Sequence, residues 1–179
     1  MQRDVFQTER LTAREWELSD LPFALELWGD ADVMQLVVLQ GKLNRDQVVQ
    51  RLHDEIDRQQ IHGIQYWPLF ETKSGQFIGC SGLRPCTFTP GDPLLEKNYE
   101  LGYHIIKQCW GKGYATEAAR GVIKYAYEKL GLTKLYAGHH PQNVNSQKVL
   151  LKLGFEHAET IFYEATGLQH PSYTLNLLS

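Results

Sequence analysis

The chain has 179 residues, 42% hydrophobic and 22% charged, which is the composition of a globular protein and predicts one domain spanning residues 1–179. A formal net charge of −3 without long runs of like charge excludes a global attraction to nucleic acid or an anionic membrane, so we expect neither partner. Three cysteines without C-x-x-C spacing, a polar N-terminus and no apolar stretch of roughly 18 residues predict a cytoplasmic protein without a membrane span.

The N-terminal segment predicts a strand and a short helix. Residues 8–16 alternate loosely between small or apolar and charged side chains, which is typical of a strand near a sheet edge. Ser19 and Asp20 are candidate N-caps for a helix that continues to Trp28, with Pro22 tolerated in its first turn.

A second helix has clearer boundaries. Asn44 and Gln47 have the spacing of a capping box, and Gly63 is a suitable end. One face of this helix is apolar and the other is largely charged; the two sets are Val48, Val49, Leu52 and Ile56, and Arg51, Asp54, Asp57 and Arg58.

The middle of the chain predicts antiparallel strands. Tyr66 to Glu71 and Phe77 to Leu83 read as two strands joined by a polar turn that contains Gly75. Residues 84–97 hold three prolines and no periodicity, so we expect a long loop that borders a substrate. The next strand, Tyr99 to Ile106, alternates and places on one face Glu100, Gly102 and His104.

The turn after this strand predicts an anion-binding site. Gly111 and Gly113 permit a sharp turn and close approach of a ligand, and an alanine-rich helix follows. The first amides of that helix and the positive end of its dipole suit a phosphate or pyrophosphate. An ordinary strand-to-helix turn is the structural alternative. Thr116 replaces the third glycine of a G-x-G-x-x-G motif, and no P-loop is present, so those nucleotide sites are excluded.

The last third of the chain alternates strands and helices. Residues 135–139 predict a strand, and Asn143 begins a short helix. Two final strands, about 155–164 and 171–178, pair through a turn near Gly167. The total is about seven strands and about four helices, which predicts an α/β (α+β) fold.

Two motifs stand in register along the second half of the chain. The first is Gln108-x-x-Gly111-x-Gly113-Tyr114-Ala115-Thr116-Glu117-Ala118, and the second is Asn143-x-x-Ser146-x-x-Val149-Leu150-x-Lys152-Leu153-Gly154-Phe155. With Glu100-Leu101-Gly102-Tyr103 and the opening Glu9-Arg10-Leu11-Thr12-Ala13-Arg14, they resemble the GNAT N-acetyltransferase superfamily, more narrowly its RimJ/RimL-like branch. The resemblance implies a mixed, mostly antiparallel central sheet with splayed central strands, and acetyl-CoA as co-substrate.

The resemblance also implies where acetyl-CoA lies. In similar proteins the glycine turn holds the CoA pyrophosphate, and the pantetheine arm lies between two splayed strands, here those ending at Ile105-Ile106 and at His139. The implied CoA-binding residues are Ile105, Ile106, Gln108, Cys109, Gly111, Lys112, Gly113, Tyr114, Ala115, Asn143 and Ser146. Packing is the alternative for Cys109, a solvated surface position for Lys112, and helix capping for Asn143.

Acetylation of an amine requires a base, an oxyanion site and a proton for the departing thiolate. Glu100 is the predicted base, acting through water, and an arginine ion pair is its structural alternative; His104 is a weaker candidate. Many GNAT enzymes have a tyrosine that protonates the thiolate at the position where this chain has Leu150. The resemblance therefore implies that Ser146 forms a hydrogen bond with the CoA sulfur; helix N-capping is the alternative role of Ser146. We expect Glu117 to be structural, because it would repel a phosphate.

The leading hypothesis is acetyl transfer from acetyl-CoA to a primary amine by direct attack in a ternary complex. The acceptor is a protein N-terminus, an amino acid or another small amine, and the enzyme is a monomer or homodimer. A non-catalytic acyl-CoA-binding or regulatory module is the alternative. Candidates for the acceptor region are Trp28, Trp67, Phe88, Asp92 and Glu96. His139 and His140 point to opposite faces of a strand without further ligands, so we predict no metal site.

Overall fold

The computed structural model describes residues 4–86 and 98–178, which form a sheet of eight strands with five helices. The strands are β1 (Asp4–Gln7), β2 (Leu11–Arg14), β3 (Tyr66–Glu71), β4 (Phe77–Pro85), β5 (Tyr99–Ile105), β6 (Lys134–Gly138), β7 (Glu156–Tyr163) and β8 (Leu168–Asn176). The helices are α1 (Leu21–Trp28), α2 (Ala31–Met34), α3 (Arg45–His62), α4 (Tyr114–Glu128) and α5 (Val144–Lys152).

The predicted fold class is confirmed, with one strand and one helix more than the sequence indicated among the described residues. The segment 8–16 was expected to be a single strand, but only its middle forms β2, which pairs with the preceding β1. The extra helix, α2, is a single turn capped by the Asp30 side chain, too short to show a helical period in the sequence. β8 begins at Leu168 and not at residue 171.

The sheet has the order β1-β2-β3-β4-β5-β6-β8-β7, and its strands diverge in the middle. β5 pairs with β4 along its whole length, from Tyr99 to Ile105. With β6 it is parallel and shares a single residue pair, Glu100 with Tyr136. The two strands therefore separate beyond Glu100, as predicted, and the edge of β5 that faces β6 is available to an extended ligand.

Local signals set the ends of α3. Asn44 and Gln47 form the predicted capping box, each side chain accepting a hydrogen bond of 2.9 Å from the backbone amide of the other. Gly63 ends the helix in the left-handed conformation, with φ of 69°. The inward face includes the buried Val48, Leu52 and Glu55, and Arg51 belongs to the same stripe by its spacing. Its assignment to the charged outer face was wrong.

The predicted acceptor-region tryptophans are core residues. Trp28 and Trp67 are fully buried, and the Trp67 indole donates a hydrogen bond of 3.0 Å to Gln59. Phe88, Asp92, Glu96 and nearly all of the predicted 84–97 loop lie outside the described residues. Across the described part of the chain, every helix is too short or too polar to cross a bilayer.

Candidate active site

A cavity of about 730 Å³ opens where β5 and β6 separate. Its lining joins parts of the chain that are far apart in sequence: α2 with the residues after it, Arg51 in the middle of α3, single residues of β3 and β4, β5 with the glycine turn after it, the segment from the end of β6 into α5, and parts of β7 and β8. A volume of this size matches small-molecule and cofactor sites. The predicted residues that line it are Glu100, Ile105, Cys109, Gly111, Gly113, Tyr114, Ala115, Asn143 and Ser146.

The glycine turn has a backbone that only glycine adopts without strain. Gly111 and Gly113 have φ of 73° and 81°, both in the left-handed region. Gly113 is the N-cap of α4, and no side chain caps this helix, whereas Asn44 and Asn143 cap α3 and α5. The first amides of α4 therefore remain available to a ligand, and a phosphate suits them because of its charge and its acceptor oxygens.

Arg10 and Glu117 hold the glycine turn in place from the side that faces away from the cavity. The Arg10 guanidinium donates a hydrogen bond of 3.1 Å to the Lys112 carbonyl and one of 2.6 Å to the Glu117 carboxylate. The same carboxylate accepts a hydrogen bond of 2.6 Å from the Thr8 hydroxyl. Burial opposes the charge on Glu117, but these hydrogen bonds together lower the pKa of its carboxyl below the ordinary value. The carboxylate is fully engaged away from the cavity, which confirms the structural role expected of Glu117.

Three predicted CoA-binding residues lie outside the cavity lining. The Gln108 side chain donates a hydrogen bond of 3.3 Å to the Glu26 carboxylate on the surface. The Ile106 amide donates a hydrogen bond of 3.0 Å to the Ile78 carbonyl, so this amide extends the pairing of β5 with β4. Lys112 is exposed. Their roles toward acetyl-CoA remain predictions.

Glu100 is buried and forms an ion pair with Arg84. The pairing follows from the register of β4 and β5, which places the two residues opposite each other. The Arg84 Nε and Nη2 atoms lie 2.8 Å and 2.7 Å from the same carboxylate oxygen, Oε2. The other oxygen, Oε1, lies toward β6, where a Cβ added at Gly138 would be 3.9 Å away. Glu100 thus holds a carboxylate at the point where the two strands begin to separate.

Ser146 forms a hydroxyl pair with Tyr103 on the other face of β5. The two oxygens are 2.9 Å apart. The N-cap of α5 is instead Asn143, whose side chain accepts a hydrogen bond of 3.0 Å from the Ser146 backbone amide. The Ser146 hydroxyl therefore does not cap the helix. Burial raises the pKa of Tyr103 to about 12, although the hydrogen bond with Ser146 acts the other way. The pair is therefore a persistent hydrogen-bond donor at neutral pH.

Three histidines that line the cavity, His104, His139 and His170, have pKa values below the ordinary value and are neutral at physiological pH. Burial lowers the pKa of His104 well below its ordinary value, and the charges of Arg51 and Arg84 act in the same direction. Burial also lowers the pKa of His139, and that of His170 to about 4. Among the described residues no group of three or more His, Cys, Asp or Glu side chains is arranged to hold a metal ion.

Four residues that line the cavity were missed as site residues in the sequence: Arg51, Tyr66, Arg84 and Tyr103. Arg51 could have been found from its spacing, three residues after the apolar Val48 on the inward stripe of α3. Arg84 stands at the start of the 84–97 segment that was expected to border a substrate, but its partner is fixed by strand register. Tyr103 had no comparable signal, because only the tertiary fold brings it close to Ser146.

Residues 10–156 match the family described as the acetyltransferase (GNAT) domain. The chain belongs to the GNAT acetyltransferase family. It is an N-acetyltransferase, and GNAT enzymes use acetyl-CoA as the acetyl donor.

Two curated relatives illustrate the similarity of this GNAT chain. FsC-acetyl coenzyme A-N(2)-transacetylase of Aspergillus fumigatus is 29% identical over 143 residues, which cover 78% of this chain and 60% of the fungal protein. The chain thus spans less than two thirds of that relative. The uncharacterized N-acetyltransferase YnaD of Bacillus subtilis is 34% identical over 147 residues, covering 82% of this chain and 79% of YnaD.

Solved structures share the fold. A GNAT-family acetyltransferase from Bacillus anthracis superposes with a TM-score of 0.80 at 22% identity, with all of both chains covered. RimL, a ribosomal alpha-N-protein acetyltransferase solved in complex with coenzyme A, has a TM-score of 0.78 at 12% identity over 97% of this chain and 98% of RimL. The resemblance to the GNAT family is confirmed, and RimL has the same fold.

Proposed function

We propose that the chain, acting as one domain, transfers the acetyl group of acetyl-CoA to a primary amine by direct attack in a ternary complex. One observation carries the proposal: the carboxylate of Glu100 and the hydroxyl pair of Tyr103 and Ser146 lie in one cavity, at the point where β5 and β6 separate. A base and a hydrogen-bond donor for the leaving group are two of the three functions that this reaction needs, the third being an oxyanion site.

The glycine turn and β5 would hold the donor. The uncapped amides of α4 suit the pyrophosphate, and Gly111 and Gly113 let the backbone approach it closely. The free edge of β5 suits the amide groups of the pantetheine arm, which would add to the sheet as a short strand does. This arrangement directs the thioester toward Glu100 and Ser146.

Glu100 would accept the proton of the amine, directly or through water. Arg84 binds Oε2 and holds the side chain in one orientation, while Oε1 lies on the side of the gap between the strands. The neutral amine then attacks the thioester carbonyl and forms the carbon–nitrogen bond, and the nitrogen releases its second proton to water. The carbon–sulfur bond breaks, and the sulfur leaves as a thiolate. The described cysteines are buried, and burial raises the pKa of Cys109, the cysteine that lines the cavity. A protonated thiol is a weak nucleophile, which supports direct attack over an acetyl-cysteine intermediate.

The hydroxyl pair would stabilise the thiolate by a hydrogen bond and keep its own proton. Tyr103 has a pKa of about 12, whereas an ordinary thiol has a pKa of about 8.5, so full proton transfer from the tyrosine to the sulfur is uphill. A hydrogen bond from the Ser146 hydroxyl, which is itself hydrogen-bonded to Tyr103, would stabilise the thiolate without an unfavourable proton transfer. The thiolate then takes its proton from water.

Removing either hydroxyl is expected to lower kcat by about 10- to 100-fold, because a hydrogen bond to a charged group contributes about 1.5–3 kcal/mol. The variants are Ser146→Ala and Tyr103→Phe, assayed by steady-state CoA release. Since the two hydroxyls act as a unit, the double variant should be no slower than the slower single variant. Ser81→Ala, which removes a buried hydroxyl bonded to the Gly102 carbonyl, is the control and should retain the wild-type rate. Multiplicative losses in the double variant would contradict a shared role.

The acceptor class is tested by following CoA release with a panel of N-terminal peptides, amino acids, polyamines and aminoglycosides. Turnover with at least one primary amine, and mass-spectrometric detection of its N-acetyl product, is the expected result. Tight acetyl-CoA binding without turnover on any amine would overturn the proposal.

A further inference from the structure

Arg51 is a cation in the cavity that has no anionic partner in the part of the chain described. Its guanidinium lies over the Trp28 ring, 4.7 Å from the ring centre, and it lines the cavity near the face of β5 that carries Glu100 and His104. Within residues 4–86 and 98–178, its Nε is the one buried side-chain nitrogen or oxygen without a hydrogen-bond partner. An unpaired buried donor is unfavourable, so the described residues leave part of the hydrogen-bonding capacity of this guanidinium unused.

The other charged groups near Arg51 are already balanced. Arg84 is paired with Glu100, and Glu55, one turn after Arg51 on α3, is paired with Arg58 at 2.6 Å. The cavity histidines at positions 104, 139 and 170 have lowered pKa values and carry no charge at neutral pH. On this side of the cavity the described residues therefore present a net positive charge, which is unfavourable for polyamines and aminoglycosides and favourable for an anionic group.

We infer that Arg51 binds a carboxylate of the acceptor, so that the acceptor is a small amine carrying a carboxylate on the same molecule, as an α-amino acid does. A guanidinium presents several N–H donors in a plane and matches both oxygens of a carboxylate. The cavity of about 730 Å³ must also hold the pantetheine arm, which leaves room for a small acceptor.

This inference rests on the proposed transfer to an amine and gives Arg51 a second effect. An acceptor arrives with its amine protonated, and positive charge nearby favours loss of that proton. The guanidinium of Arg51 would thus bind the carboxylate and ease deprotonation of the amine toward Glu100. Both effects require the carboxylate and the amine to be close together, which favours an amino acid over a long peptide.

The test compares matched acceptors. CoA release is measured with the 20 common L-amino acids and with the corresponding L-amino acid amides, and kcat/KM for each acid is divided by that for its amide. Wild type should favour the acid by at least about 10-fold, and Arg51→Met should reduce the ratio by about 10- to 100-fold. Because the variant is compared with wild type on the same two compounds, differences in their amine pKa values cancel.

Two further variants separate the charge from its position. Arg45→Met removes an arginine from the exposed first turn of the same helix and should leave the ratio unchanged. Arg51→Lys keeps the charge without the planar pair of donors and should give an intermediate ratio. Calorimetric titration of the acid and the amide into CoA-saturated protein provides a readout that does not depend on turnover.

The outcomes distinguish the inference from the proposed function. Amine turnover without preference for the acid, or with a preference that Arg51→Met leaves intact, overturns the carboxylate site and leaves acetyl transfer standing. Binding of the acid over the amide, abolished in Arg51→Met but without turnover, supports the carboxylate site and overturns the proposed transfer. A preference for long peptides over free amino acids overturns the inference, and absence of both turnover and selective binding overturns both.

Discussion

Replacing Glu100 by glutamine is expected to lower kcat by about 100- to 10,000-fold, the range associated with loss of a general base. Glutamine keeps the shape and an oxygen that can accept from Arg84, but it cannot take the proton of the amine. The affinity for acetyl-CoA should not change, because the glycine turn is untouched. Stopped-flow or steady-state CoA release over a range of pH values, together with a direct acetyl-CoA binding measurement, checks both statements.

Glu55→Gln is the matched control for this experiment. Glu55 is also a buried glutamate paired with an arginine, Arg58 at 2.6 Å, but it does not line the cavity. Loss of a buried ion pair alone should therefore lower the melting temperature of Glu55→Gln without a comparable loss of kcat. If Glu100→Gln turns over at the wild-type rate at a pH below the pKa of the acceptor amine, where that amine is protonated, Glu100 is an ion-pair partner and not the base.

Replacing Gly113 by alanine is expected to weaken acetyl-CoA binding by about 100-fold. Its φ of 81° costs a residue with a side chain about 1–2 kcal/mol, so the turn relaxes and redirects the first amides of α4. Loss of charge-assisted hydrogen bonds worth about 1.5–3 kcal/mol then accounts for the fall in affinity. Crowding is not the cause, because the contact found for an added Cβ is 3.6 Å, to Arg10 Nη2. Isothermal titration with acetyl-CoA measures the change.

Gly131→Ala separates the conformational cost from the effect on the ligand. Gly131 follows the other end of α4, has φ of 65°, and an added Cβ there would meet no atom within 4 Å. Both alanine variants should lose similar stability in thermal melts, but Gly131→Ala should bind acetyl-CoA as tightly as wild type. Equal affinity in the two variants would mean that the glycine turn does not hold the donor.

The proposed site would combine a rigid donor half, formed by the glycine turn, with an acceptor half defined by charge. Arg10 and Glu117 tie the glycine turn to the beginning of β2, so the backbone is fixed before acetyl-CoA binds. On the other side, the Arg84 and Glu100 pair and the unpaired Arg51 set the electrostatics. The same fold can accept different amines if only this second half changes, which agrees with the view that function is set by sites placed on a common scaffold.

The sequence by itself determined the order of all elements except β1 and α2, the ends of α3 and the position of the glycine turn. These features depend on local physics: a capping side chain three residues from its amide, a positive φ that glycine adopts freely, and the period of apolar residues. The likeness of the two motifs to the GNAT family also followed from local spacing, and it predicted the separation of β5 and β6 that the structure confirms.

Only the tertiary structure decided which side chains meet. Ser146 contacts Tyr103, 43 residues earlier, because the tertiary fold brings the first turn of α5 to the side chain of Tyr103. Glu100 contacts Arg84 because the register of two strands places them opposite each other. Arg51 was assigned to the outer face of α3 from its charge, yet packing directs it into the cavity. Strand register and helix orientation depend on contacts summed over the whole fold, so a residue's neighbours in sequence do not specify them.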